Sequence, residues 1–114
     1  MAAFKEVNGI IRVLALVVNN ENPKYKEHYR PLSEQEPIDV LPAIITIYTT
    51  KRQIGFTVIT KDNDSLKFHI KREIHKQDHK TPPETLIREL TRQAFGEQAG
   101  LIVMSEQEFH GFLQ

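Results

Sequence analysis

VLPAIITIYTT (residues 40–50), QIGFTVIT (53–60) and SLKFHIKREIH (65–75) are three β-rich runs separated only by KR (51–52) and KDND (61–64). Runs of Ile, Val, Thr, Tyr and Phe joined by polar turns this short read as an antiparallel meander. Within the third run, Leu66, Phe68 and Ile70 alternate with Lys67, His69 and Lys71, so one set faces a core and the other faces solvent or a partner. Ile45, Ile47, Ile54, Phe56 and Val58 are expected on the buried face. Ile44, Tyr48 and Ile59 leave apolar groups on the opposite one. Pro42, near the start of its strand, predicts an edge position or a bulge.

Working outward, Gly9 to Asn19 (GIIRVLALVVN) is apolar on both alternating faces except for Arg12. Such a strand is expected in the centre of the sheet, covered on both sides or placed where a partner covers one. Residues 20–36 (NENPKYKEHYRPLSEQE) form a polar connection that is long for a compact domain. Asn22 can cap a short helix there with Pro23 at its first position, and Tyr25 and Tyr29 share one face of it.

On the C-terminal side, Thr81 to Ala99 is predicted as the main helix. Thr81 and Glu84 have capping-box spacing and Pro82 suits the first helical position. Leu86, Ile87, Leu90 and Ala94 make an apolar stripe opposite Arg88, Glu89, Arg92 and Gln93. Gly96 weakens its last turn, and Gly100 is the expected stop. LIVM (101–104) supplies a short strand, and Ser105 with Glu108 starts a second helix over 105–113, with Phe109, Phe112 and Leu113 inward. These elements make one α+β domain over residues 1–114: a mostly antiparallel sheet of four or five strands, one main helix on one face and a short C-terminal helix.

The chain has 114 residues, 39% of them hydrophobic, enough for one modest core and too few for two. Its longest apolar run, residues 13–18, is far short of the roughly 20 residues that span a bilayer, so neither a membrane span nor a signal peptide is expected. The lack of cysteine excludes disulfides, thiolate metal sites and cysteine nucleophiles, and accords with a cytoplasmic setting. Net charge is zero but unevenly spread: residues 51–80 carry 8 basic and 4 acidic side chains, whereas 81–114 carry 2 and 5. That asymmetry fits an anionic partner for the middle of the chain or head-to-tail self-association.

Lys51, Arg52, Lys67, Lys71 and Arg72 are the candidates for an anion or nucleic-acid contact. The turn bearing Lys51 and Arg52 is expected toward the opposite end of the sheet from the others. Phosphate recognition needs contiguous charge, and single strands also need exposed aromatics, here Tyr48. In the long loop, Tyr25, His28, Tyr29 and Arg30 interleave ring and charge as contact residues do, although tyrosines at this spacing also anchor loops to their own domain. His69 and His75 lie about 20 Å apart on an extended strand, too far to share an ion. His75, Asp78 and His79 leave a metal-dependent hydrolase as a remote alternative.

No phosphate loop, nucleophile elbow or HExxH motif occurs, and no catalytic residue, metal site or cofactor is assigned. The expectation is a small intracellular interaction or regulatory module that forms homo-oligomers, because the lone long helix can shelter only one of two apolar sheet faces. A nucleic-acid-binding protein is the rival from another class.

Overall fold

The computed structural model describes residues 4–49, 53–60, 62, 65–70 and 82–114, with the side chains of 66–70 outside that description. In chain order the elements are β1 (Glu6–Val7), β2 (Ile10–Val18), a 3-10 helix (Pro23–His28), β3 (Arg30–Pro31), β4 (Asp39–Tyr48), β5 (Gln53–Ile59), β6 (Ser65–Ile70), α1 (Pro83–Phe95), β7 (Gly100–Met104) and α2 (Glu106–Leu113). The described strands form one seven-stranded sheet ordered β1-β2-β4-β5-β6, with β3 beside β4 and β7 beside β2, and every pairing is antiparallel. The α+β architecture and the β4-β5-β6 meander follow the alternation in the sequence. The five longer strands are those it marks out.

β2 is central, as its two-faced apolar composition requires. Ile11, Val13, Ala15 and Val17 project to one face, where they join Ile45, Ile47, Ile54, Phe56 and Val58 beneath Leu86, Ile87, Leu90 and Phe95 of α1. Leu14 and Leu16 project to the other face and are equally buried. There Phe109 of α2 packs with Leu14 and Ile59, flanked by Ile44, Met104 and Leu113. As expected, the one main helix, α1, covers one face, and the short C-terminal helix α2 adds a cover over part of the other. The short α2 covers the middle of the second face because Ser105 caps it in a full capping box with Glu108, and Met104 and Phe109 close over its first turn. The Ser105 side chain first, and the bond from its backbone N–H second, hold the Glu108 carboxyl below its ordinary pKa.

The β2–β4 register runs without a slip from Ile10↔Tyr48 to Val18↔Val40, and just outside it Thr49 N–H donates to Gly9 O at 2.9 Å. Hydrogen-bonded and non-bonded pairs alternate along an antiparallel ladder, so the odd residues of both strands bond to each other and the even ones point their backbone groups away. This explains Pro42, which sits buried in a central strand and not at an edge or a bulge. Its nitrogen points toward the β5 side, where β5 pairs only with residues 43–48 and β3 only with 39 and 40. A residue without an N–H fits that gap in the ladder. The Arg30 guanidinium lies nearby, with Nη2 donating to the Thr60 carbonyl.

Two boundaries differ from expectation. α1 ends at Phe95, because Gly96 takes φ +119°, a conformation side chains resist. An added Cβ there would also meet Glu21 Oε2 at 2.8 Å. Gly100 consequently belongs to β7 and does not cap the helix. At the N-terminus of α1 the capping residue is Pro82, with no side-chain cap bond, while Thr81 lies outside the described residues. The hairpin β1-β2 turns on Asn8 and Gly9, both at positive φ, a type I′ signature that Asn-Gly flanked by Val7 and Ile10 already carries. Phe109→Ala is expected to lower the unfolding free energy by about 3 kcal/mol or more, read from a urea titration with unchanged slope, since it empties the contact between α2 and the sheet.

Candidate functional site

The second face is laid out by register. Val7, Ile10 and Tyr48 stand side by side across β1, β2 and β4, with Gln53 next on β5. The next row on this face is Arg12, Thr46 and Gly55, with the His69 backbone opposite Gly55. Beyond these rows α2 takes over. Val7 is 56% and Ile10 41% exposed, Arg12 is exposed and Tyr48 half-buried, so this end of the face is open. On the far side of α2, Ile102 is 39% exposed beside Leu16, and Leu32 and Ile38 are exposed where Leu32 N–H donates to Ile38 O at 2.9 Å. Val7, Ile10 and Ile102 therefore remain exposed on this face around the part that α2 covers.

Of the anion-contact candidates, Lys51, Arg52, Lys71 and Arg72 lie outside the described residues, and Lys67 is placed by its backbone opposite Thr57. The described residues that flank those two stretches, Tyr48 and Gln53 on one side and Ile70 opposite Ile54 on the other, stand at the same end of the sheet. β5 and β6 run antiparallel, so the start of β5 and the finish of β6 come to the same end, with Ile54 opposite Ile70. That end also carries Val7, Ile10, Arg12 and Tyr48.

The loop candidates turn inward. Tyr25 is 3% exposed, its ring 5.8 Å from Phe95, which in turn stands edge-on to Phe56 at 5.3 Å. Asn22 caps the 3-10 helix by accepting from Lys24 N–H at 3.1 Å, and its Nδ2 donates to Ala94 O at 3.2 Å. Glu21 N–H donates to Phe95 O at 2.8 Å. The loop thus satisfies the last carbonyls of α1, which a helix cannot satisfy by itself. Tyr29 donates from its hydroxyl to Asn20 O at 2.7 Å, and His28 Nε2 lies 3.4 Å from Glu27 Oε1. Burial raises the pKa of Tyr25; burial and then the nearby Asp39 carboxylate raise that of Tyr29. Tyr25, Tyr29 and Arg30 hold the strap to the domain, and the half-buried His28 stands at its end.

An open groove at the end of α1 is lined by Glu21, Glu89, Arg92, Gln93, Gly96 and Glu97. Among the described residues no three His, Asp or Glu side chains gather as metal ligands. His75, Asp78 and His79 lie outside them. No helix among the described residues is long and apolar enough to cross a membrane. Comparison of the chain with protein-family models, curated proteins and solved structures returned no match. The geometry of the second face therefore carries the functional argument alone.

Asn22→Ala removes both the cap of the 3-10 helix and a bond to the end of α1, and is expected to reduce stability by about 1 kcal/mol. Differential hydrogen exchange should place the loss in residues 20–29 and the last turn of α1.

Proposed function

We propose that this chain is a small protein-interaction module of regulatory type, working inside the cell and associating with its own kind. The observation that carries this reading is the set of exposed apolar side chains, Val7, Ile10 and Ile102 on the second face together with Leu32 and Ile38. Exposed apolar side chains framed by polar groups are what association buries. The cysteine-free composition accords with a reducing compartment. Mechanistically the module is a rigid sheet that presents a preformed face, with no chemistry required of it. Size-exclusion chromatography with light scattering is expected to show mass rising above that of one chain as concentration reaches the high micromolar range. A strictly monomeric species there would remove the reading.

The second reading is nucleic-acid contact. It is supported by the described neighbours of the two basic stretches, Gln53 and Ile70, which stand at the end of the sheet that displays Arg12 and Tyr48. Cationic side chains next to an accessible ring suit phosphate contact with base stacking. If so, labelled single-stranded oligonucleotides bind at low salt, lose affinity as salt rises, and bind more weakly to Arg12→Glu. Absence of binding to single-stranded and duplex probes alike at low salt would eliminate it.

A further inference from the structure

We infer that the outer edge of β7 is a strand-addition site, and that its occupant is β7 of a second copy, paired antiparallel about a two-fold axis at Ile102. The inference rests on the self-association reading and names its point of contact. The odd residues of β2 bond to β4, so Val17 and Ala15 cannot also bond to their β7 neighbours Leu101 and Val103. Leu101 and Val103 therefore point their N–H and C=O groups away from the sheet, while Gly100, Ile102 and Met104 are bonded to β2. An independent contact agrees: Arg88 Nη1 donates to Leu101 O at 3.2 Å from outside the ladder.

The edge has the composition of a pairing strand. Gly100–Met104 contains neither charge nor proline, the devices that usually keep an edge single. About an axis at Ile102, Leu101 of each copy lies opposite Val103 of the other, so both outward-facing residues of each strand enter hydrogen-bonded pairs. Ile102 meets its own counterpart in a non-bonded pair, where Cα atoms approach to about 4.5 Å and side chains pack closely. This buries a residue that the monomer leaves 39% exposed. Centring on Leu101 or Val103 would instead send one pair beyond the strand. Arg88 is the obstacle, and a slight one: it is half-exposed, and its Nη2 keeps a partner in Glu84 Oε1 at 3.2 Å when the carbonyl is released.

Amide hydrogen exchange on the intact chain, followed from low to high micromolar concentration alongside light scattering, tests this. The expected result is a twofold mass at high concentration, with the Leu101 and Val103 amides gaining protection together while Gly100, Ile102 and Met104 are protected throughout. Ile102→Lys should weaken dimerisation by about tenfold or more, since like charges meet at the axis. Arg88→Ala should strengthen it several-fold by removing the competitor for Leu101 O. A dimer in which the Leu101 and Val103 amides exchange equally fast at every concentration overturns the edge contact and leaves self-association standing. A monomer at all concentrations overturns both.

Discussion

The unbroken ladder between β2 and β4 is the constraint on which the rest of the structure depends. β2 carries aliphatic side chains on both faces, so it is stable only with a strand at its flank and a cover above and below. α1 supplies one cover and α2 the middle of the other. The parity of the ladder also reaches beyond it. The same alternation that turns the odd residues of β2 toward β4 places the Pro42 nitrogen in a gap between β3 and β5, and turns the backbone groups of Leu101 and Val103 outward. One register thus sets both where a proline is tolerated and where the sheet can grow.

The strap over residues 20–29 shows how a polar segment acquires structural work. Its backbone and Asn22 answer the carbonyls that α1 leaves open, and Tyr25 enters the core against Phe95. Glu21 lies over Gly96, so the helix end, the glycine and the strap are mutually adjusted. Tyr25 and Tyr29 thus anchor the strap to its own domain, while Val7, Ile10 and Ile102 stay exposed on the second face.

How much was legible depends on the range of the interaction. The meander could be read because period-two alternation is local, and α2 because its capping box and staple span six residues. The Asn8–Gly9 turn is equally local, but β1 is only two residues long and carries no alternation of its own. Pro42 was misjudged because intrinsic rules place proline at edges, whereas here an internal gap in the ladder does the same service. The end of α1 was placed too late because stripe periodicity continues past Phe95, and only the approach of Glu21, far away in sequence, shows why the backbone must turn at Gly96. For the candidate site, residue types were visible, but the meeting of Gln53, Ile70, Arg12 and Tyr48 at one end of the sheet was not, since it follows from strand pairing.

By itself the sequence determined the class of the fold, the identity of the core-forming strands and the capping of the last helix, all of which rest on contacts between residues a few positions apart. Only the tertiary structure decided that α2 closes over Leu14 and Ile59, that the strap caps α1, and that β7 borders β2 with the backbone groups of Leu101 and Val103 turned outward. Those outcomes depend on pairings across dozens of residues, where many partners are chemically acceptable and the geometry of the whole sheet selects one.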